Sequence, residues 1–305
     1  MMSLHHSCMS AGVPVVFRHG NAQTQSKKAQ SIQADRAGRE RTFALLLATL
    51  SQCLHEPQSR CRKILRANTA YLSRVERYRN QPQSRARLLK HVARFEFPQQ
   101  QELTRLDAED QRPRLVASIH AGDFIYGTNV FANIESPNTR QFVLLQKTPG
   151  EAFQRNLSLA FGKKRYSSRT QLLLESFDFI QFRRRLNSSK SSLLTFTDLP
   201  PGFGRRVQID FLGRAAWFPV GPALMAIANK MPILPLLNFS VGKANRIQLW
   251  PLIEPQRQAG QNIEEAAREV TQQLSYPLQW LLQRCPEQWR FLSALPSFFR
   301  EEEHD

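Results

Sequence analysis

Strand-like and helical segments alternate along the chain from Arg114 onward, and this alternation limits the fold more than any other feature. Short apolar runs that are typical of buried strands occur at Leu115–Ile119, Phe142–Gln146, Ser192–Thr197, Val207–Phe211 and Ile233–Phe239. Segments with helical spacing occur at Gly150–Ala160, Thr170–Ser176, Gly221–Asn229 and Ile263–Gln283. Strands interleaved with helices predict an α/β fold, with a mixed, largely parallel sheet flanked by helices.

The residues before this region divide into two parts. Residues 1–38 are rich in Ser, Gln, Ala and His and have no sustained period, which predicts a disordered tail. From Arg41 to about Phe97 the apolar residues recur at helical spacing. We therefore expect one α/β domain over residues 39–305, with a helical N-terminal extension at 39–110 and an α/β core at 111–305.

The formal net charge of the chain is +17, which favours an anionic partner. Part of the positive charge lies in the helical extension, at Arg74, Arg77, Arg79, Arg85, Arg87, Lys90 and Arg94. Such a run is either a solvated helix face or a surface that contacts an anion, and the sequence leaves both open. Nucleic acid is not favoured as the partner, because the chain has no recognisable nucleic-acid reading motif.

Cysteine spacing and apolar run lengths narrow the class of protein further. The four cysteines (Cys8, Cys53, Cys61 and Cys285) form no CxxC pair, so the pattern fits neither a zinc site nor a dense disulfide framework and favours a reducing compartment. No run approaches the roughly 20 apolar residues of a membrane-spanning helix. We expect a cytoplasmic protein that lies on the inner face of the cell membrane rather than crossing it.

A histidine follows the first of the apolar runs. The segment Leu115–Ile119 delivers His120 at its carboxyl end, and Gly122 and Asp123 follow directly. Ligands of open α/β sheets bind outside the carboxyl ends of the strands. A histidine at that edge with a carboxylate close by predicts a general base and its orienting partner. The alternative is a histidine that only bonds the backbone at the end of a strand.

A second block with several functional residue types runs from Asp198 to Gly221. The run Ser192–Thr197 delivers Asp198 to a carboxyl end, and a turn rich in Pro and Gly then carries Arg205 and Arg206. Two guanidinium groups can hold a phosphate or a carboxylate. A helix is expected to begin near Gly221, where its N-terminus can accept an anion or a long cofactor arm. Asp198, Arg205, Arg206 and Gly221 are therefore candidates for binding an anionic ligand or a cofactor.

Six short motifs then complete a recognisable order. They are His120-Ala-Gly, Asp198 with Gly204, Phe211-Leu-Gly, Gly221-Pro-Ala-Leu-Met-Ala-Ile-Ala, Pro232-Ile-Leu-Pro and Pro286-Glu-Gln-Trp. From about Arg41 onward the chain resembles the bacterial lipid A late acyltransferases, within the lysophospholipid acyltransferase group. The resemblance implies a glycerolipid acyltransferase-like fold. It also implies transfer of a fatty acyl group from acyl carrier protein or coenzyme A to a hydroxyl or amine of a lipid or glycolipid, with His120 as the general base.

The chain departs from the family pattern at one position next to the histidine. The resemblance implies an acidic residue five positions after His120, and this chain has Ile125 there. Asp123 can replace it if a helix begins at the end of the strand, because side chains at i and i+3 share a helix face. Asp198, from the neighbouring strand end, is the other candidate. We take His120 and Asp123 as the catalytic pair and keep Asp198 as the alternative partner.

Two function classes follow from these observations. The first is an acyltransferase that uses acyl carrier protein or a coenzyme A thioester as a donor substrate, with no bound cofactor and no metal. The second is a catalytically degenerate relative that binds acyl chains or an acyl carrier protein without turnover. An anionic membrane surface is an expected partner of either, through basic residues at Lys163, Lys164, Arg165, Arg169 and Arg183 to Arg185.

Overall fold

Helices fill the first part of the chain, and strands alternate with helices after it. The computed structural model describes residues 22–133, 141–145, 151–162, 170–173 and 191–300. The α-helices within this part are α1 (Ala22–Leu54), α2 (Gln58–Asn80), α3 (Arg85–Val92), α4 (Gln100–Glu109), α5 (Phe124–Asn133), α6 (Glu151–Phe161), α7 (Gly221–Asn229) and α8 (Ile263–Arg284). Two 3₁₀ helices follow, at Pro286–Gln288 and Leu292–Phe299.

The strands form one large sheet and one hairpin. They are β1 (Phe95–Glu96), β2 (Arg114–Ser118), β3 (Gln141–Leu145), β4 (Thr170–Leu173), β5 (Ser191–Phe196), β6 (Arg206–Phe211), β7 (Arg214–Pro219), β8 (Ile233–Val241) and β9 (Ala244–Leu249). The large sheet has the order β1-β9-β8-β2-β5-β3-β4, and β6 pairs with β7. Within the sheet only the β8–β9 pair is antiparallel among the strands described. The predicted α/β fold with a mixed, largely parallel sheet is therefore confirmed.

The central strand β2 is buried on both faces, as expected for a parallel strand covered by helices. Leu115 and Ala117 point to one face and pack in a cluster with Val270 of α8. Val116 points to the other face, in a cluster with Phe131 of α5. A fully buried leucine or valine side chain, such as Leu115 or Val116, contributes about 1.5–3 kcal/mol to folding. Burial on both faces fixes the position of β2, and with it the position of the residues that follow.

Two segments differ from the sequence expectation in the type of element. The prediction of a helix at Thr170–Ser176 is wrong for Thr170–Leu173, which form β4 and pair in parallel with β3. A segment this short follows its pairing partner rather than the helical preference of leucine. Strand β7 was not expected; it returns from β6 through a two-residue turn in which Leu212 and Gly213 have φ of 54° and 74°. Leucine in the left-handed region gives no turn signal.

The first helix begins earlier than the sequence indicates. Contacts divide the chain into residues 1–45 and residues 46–305. In the first unit the structure describes helix α1 from Ala22, so residues 22–38 are helical where we expected a disordered tail, and residues 1–21 lie outside the described part. In the second unit α2 and α3 confirm the helical pattern up to Val92. Beyond it the expectation is wrong for Phe95 and Glu96, which form strand β1 and pair in parallel with β9.

The apolar C-terminal segment packs into the core of the second unit. Leu292, Leu295 and Phe298 are fully buried in a cluster that also contains Trp289 and Phe218. Within the described part of the chain, none of the helices combines the length and the apolar character needed to cross a bilayer. The basic residues at 163–169 and 183–185 that were expected to face a membrane lie outside the described residues.

Candidate active site

Two neighbouring parallel strands deliver His120 and Asp198 to the same edge of the sheet. Strands β2 and β5 pair with Ser118 opposite Phe196, so their carboxyl ends are level. His120 lies two residues beyond the end of β2, and Asp198 lies two residues beyond the end of β5. The backbone alone therefore brings the two side chains together at the edge where α/β proteins bind ligands.

Asp198 holds the ring of His120 through its first ring nitrogen. His120 Nδ1 is 2.7 Å from Asp198 Oδ1, and the backbone N–H of His120 donates to Asp198 Oδ2, also at 2.7 Å. Trp289 Nε1 donates to the same Oδ2 at 2.8 Å. The side chain of Asp198 has no exposed surface, and these three donors compensate for burying its charge.

This hydrogen-bond pattern determines which nitrogen of His120 can accept a proton. An ionised carboxylate only accepts hydrogen bonds, so Nδ1 carries the proton shared with Asp198. The lone pair of the neutral ring is then on Nε2, which is the tautomer that a general base requires. The pair can remove a proton from a hydroxyl, amine or thiol and stabilise the imidazolium that forms.

Three phenyl rings surround the imidazole. Phe196 stacks on His120 with ring centroids 4.0 Å apart and an angle of 28° between the planes. Phe124 and Phe291 meet the imidazole edge-on, at 4.8 and 4.9 Å. Only 13% of the His120 side chain is exposed. Apolar surroundings of this kind strengthen the hydrogen bond to Asp198 and restrict the ring to one orientation.

The segment that contains Trp289 lies along the loop of the histidine. The N–H of Gly122 donates to the carbonyl of Gln288 at 3.1 Å, and the N–H of Arg290 donates to the carbonyl of His120 at 2.9 Å. The side chain of Gln288 in turn accepts from the N–H of Ser240 and donates to its carbonyl, at 2.6 and 2.9 Å. The motif Pro286-Glu-Gln-Trp thus joins strand β8 to the histidine loop.

Two glycines after the histidine lie against Asn238 of strand β8. Gly122 has φ of +60°, and a Cβ atom there would lie 2.6 Å from the backbone oxygen of Asn238. At Gly127 a Cβ atom would lie 2.1 Å from Asn238 Oδ1. Both distances are far below van der Waals contact. The histidine loop can approach the backbone of β8 this closely only because Gly122 has no side chain, whereas a Cβ atom at Gly127 would displace the Asn238 side chain.

Asp123, which was taken as the catalytic partner, does not hold His120. Its carboxylate oxygen Oδ2 lies 2.6 Å from Nε2 of His91, and both side chains are largely buried. The expectation failed because α5 begins only at Phe124, after the left-handed turn at Gly122. His120 and Asp123 therefore do not share a helix face, and the partner of His120 is the alternative residue, Asp198.

Ile125 occupies the position where the family resemblance implied an acid. It is half-buried and packs against an apolar cluster that includes Tyr126, Phe153 and Leu157. A carboxylate at this position would replace an apolar contact in that cluster. In this chain the acid that orients the histidine therefore comes from the neighbouring strand end.

The two arginines predicted to bind an anionic ligand have different surroundings. Arg205 is exposed and forms an ion pair with the exposed Glu264. Arg206 is partly buried, and its guanidinium donates to the backbone carbonyls of Leu199 and Trp217 at 2.7 and 2.6 Å. Arg206 therefore joins the residue after Asp198 to strand β7, whereas the guanidinium of Arg205 is exposed to solvent.

Gly221 is the first residue of helix α7 and is exposed. The residue before it, Val220, provides no side-chain cap, so the first N–H groups of α7 are not capped by that side chain. This agrees with the expected start of a helix near Gly221.

The sequence assigned no function to several residues of the site. Trp289 belonged to a recognised motif, but its hydrogen bond to Asp198 spans 91 residues of sequence. A buried tryptophan needs an acceptor for its N–H, and this requirement is the one signal that pointed to such a partner. His91 and Phe291 lie in other parts of the sequence, and no local pattern connects them with His120.

Comparison with known proteins returned no match, either to a family model or to a curated protein. Within the part of the chain that the structure describes, no three His, Cys, Asp or Glu side chains are grouped as metal ligands would be. The cysteines of the same part (Cys53, Cys61 and Cys285) form no disulfide.

Proposed function

We propose that the protein is an acyltransferase that moves a fatty acyl group from a thioester to a hydroxyl or amine of a lipid-like acceptor. The observation that carries this proposal is the hydrogen bond of 2.7 Å between His120 Nδ1 and the buried carboxylate of Asp198. The pair lies at the carboxyl edge of a largely parallel sheet, the edge at which α/β proteins bind ligands. It supplies a base and a group that orients the base.

In the proposed reaction the acceptor itself is the nucleophile. Nε2 of His120 removes the proton of the acceptor hydroxyl as its oxygen attacks the thioester carbonyl. Asp198 stabilises the imidazolium while the tetrahedral intermediate carries its negative charge on the former carbonyl oxygen. When the carbon–sulfur bond breaks, the imidazolium returns the proton to the leaving thiolate. The products are the acyl ester and the free thiol, and His120 is neutral again.

Two features support the choice of a fatty acyl group and an acidic donor. The rings of Phe124, Phe196 and Phe291 give the surroundings of His120 an apolar surface that suits an acyl chain. The net charge of +17 favours an acidic donor such as acyl carrier protein or coenzyme A. A glycerolipid acyltransferase-like fold, relatedness to the lipid A late acyltransferases and work at the inner face of the cell membrane belong to the same proposal.

The test is transfer of radiolabelled palmitate from palmitoyl-acyl carrier protein and from palmitoyl-coenzyme A. The acceptors are lysophosphatidic acid, lysophosphatidylethanolamine and a lipid A precursor, and the products are separated and identified by mass spectrometry. We expect His120→Asn to lower the transfer rate by a factor on the order of 10³ or more. His55→Asn is the matched control, because His55 is exposed and Asn tolerates its left-handed backbone.

The alternative function is a degenerate relative that binds acyl chains or the carrier protein without turnover. It predicts that the wild-type protein retains palmitoyl-acyl carrier protein on a column but releases no thiol with any acceptor. Under that function His120→Asn and His55→Asn would behave alike. Acyl transfer that depends on His120 and not on His55 separates the two.

A further inference from the structure

We propose that a basic pocket between α2 and α3 binds the phosphate group of a ligand. The pocket has a volume of about 530 Å³, and residues from both helices line it. This volume is larger than one phosphate ion requires and lies in the range of small-molecule sites. The proposal concerns binding alone, so it stands or falls independently of the acyl transfer proposed above.

Five cationic side chains line this α2–α3 pocket: Arg74, Arg77, Arg87, Lys90 and Arg94. The lining includes no carboxylate among the described residues. Like charges gathered around one concave surface repel one another, and an anion in the pocket would relieve that repulsion. The sequence left open whether this run is a solvated helix face or a surface for an anion. Because these basic residues line one pocket, we favour the surface that contacts an anion.

The turn between α2 and α3 is held in place by a side chain of helix α6. Asn156 of α6 is fully buried, and its amide donates to the carbonyls of Arg79 and Gln81 at 3.2 and 2.9 Å. Its side-chain oxygen accepts from the N–H of Gln83 at 3.0 Å. One buried side chain thus satisfies three backbone groups of the turn. The basic residues on either side of the turn are therefore presented by a fixed backbone, and little ordering is needed to bind a ligand.

Two aromatic rings belong to the wall of the pocket and connect it with the histidine loop. The rings of Tyr78 and His91 lie 4.5 Å apart, and Nε2 of His91 is 2.6 Å from the carboxylate of Asp123. Behind them Tyr126 touches the His91 ring at 5.0 Å, and its buried hydroxyl has no hydrogen-bond partner among the described residues. Asp123 follows His120 by three residues. The pocket is thus joined by direct contacts to the loop that carries the proposed base.

The composition of the pocket favours phosphate over a carboxylate. Arginine presents donors in a planar fork that matches two phosphate oxygens, and four of the five cations are arginine. A phosphate monoester carries more negative charge than a carboxylate and offers more oxygens to share among several guanidiniums. The source of the phosphate can be a soluble phosphate monoester or the head group of a phospholipid.

The experiment measures binding to the full chain with two probes. The first probe is glycerol 3-phosphate, whose binding is measured by calorimetric titration at low ionic strength, where electrostatic screening is weak. The second probe is a phosphatidylcholine vesicle with or without phosphatidic acid, and binding to it is measured by co-sedimentation. The pocket variant is Arg87→Gln with Arg94→Gln. Its matched control is Arg66→Gln with Arg257→Gln, which removes the same charge from exposed positions that do not line the pocket.

We expect the pocket variant to bind at least one probe at least about tenfold more weakly than the wild type, since each lost charge-assisted hydrogen bond is worth more than a tenfold change. The control is expected to stay within about twofold. Loss with glycerol 3-phosphate identifies a soluble ester as a sufficient ligand, and loss only with vesicles identifies a lipid head group. The proposal is overturned if wild type binds neither probe, or if both variants lose affinity equally. His120→Ala is expected to bind as wild type does, which keeps this result separate from catalysis.

Discussion

Trp289 Nε1 donates a hydrogen bond to the Oδ2 atom of Asp198 at 2.8 Å, and neither side chain is exposed. The same oxygen accepts the backbone N–H of His120. The C-terminal motif is therefore part of the site, because it fixes the carboxylate that orients the proposed base. The tryptophan also packs against Phe298, so the C-terminal 3₁₀ helix and the site share one core.

Replacing Trp289 by phenylalanine would remove the donor while keeping an aromatic ring. We expect the free energy of unfolding to fall by about 2–4 kcal/mol, from the lost hydrogen bond to a charged group and from the smaller ring. Urea denaturation measures this change. Trp280→Phe is the control, since Trp280 is only partly buried and packs beside Phe239 and Trp250. Equal losses in the two variants would show that the bond to Asp198 adds nothing beyond packing.

The roles of Asp198 and Asp123 can be distinguished by replacing each of them with asparagine. Asp198→Asn offers one acceptor oxygen to three N–H donors and weakens the preference for the correct His120 tautomer. We expect kcat for acyl transfer to fall by a factor on the order of 10³–10⁴. Asp123→Asn leaves the His120 contacts in place, and kcat is expected to stay within about tenfold. A larger loss with Asp123→Asn than with Asp198→Asn would contradict the assignment.

The placement of His120 and Asp198 could be predicted from the sequence because it depends on local patterns. An apolar run of strand length ends just before each residue, and parallel neighbours in an α/β sheet have their carboxyl ends at one edge. The choice between Asp123 and Asp198 could not be made in the same way. It depends on the left-handed turn at Gly122 and on the residue at which α5 begins, and glycine permits several conformations.

Long-range partners account for most of what the sequence did not reveal. The contact of Trp289 with Asp198, and that of His91 with Asp123, join distant parts of the chain. Strand β7 was missed for a different reason, since its hairpin turn contains Leu212 in a conformation that glycine or asparagine usually adopts. Local preference carries no information about any of these.

The two arginines after Asp198 are expected to respond differently to truncation. Arg205→Ala removes an exposed ion pair with Glu264 and should change the free energy of unfolding by less than about 1 kcal/mol. Arg206→Ala leaves the carbonyls of Leu199 and Trp217 without their donor, and should cost about 1–3 kcal/mol. Chemical denaturation gives both values. If Arg205 binds the donor, its variant raises KM for palmitoyl-coenzyme A without loss of stability; an unchanged KM excludes that role.

Gly122 is the position near the site where a single methyl group should be most damaging. The Cβ of Gly122→Ala would overlap the backbone of Asn238 and Phe239, and the residue has φ of +60°. We expect a loss of about 2–5 kcal/mol in the free energy of unfolding, from overpacking and from the left-handed backbone. Gly38→Ala is the control, because Gly38 lies in helix α1 with no atom within 4 Å of its Cβ position. That variant should be neutral or slightly stabilising, and a similar loss in both would contradict the close approach.

The cysteine at the end of α8 should react slowly in the folded protein. Burial raises the pKa of the Cys285 thiol to about 12, and the nearby Glu287 adds to the increase. A raised pKa means that the reactive thiolate is scarce at neutral pH and becomes more abundant as the pH rises. At pH 8 we expect iodoacetamide to label Cys285 about three orders of magnitude more slowly than an unperturbed thiol. The rate should then rise about tenfold for each pH unit up to about pH 11, as long as the protein stays folded. Peptide mass spectrometry after timed labelling measures both, with the urea-unfolded protein as the control. Fast labelling of folded protein at pH 8 would contradict the burial of this thiol.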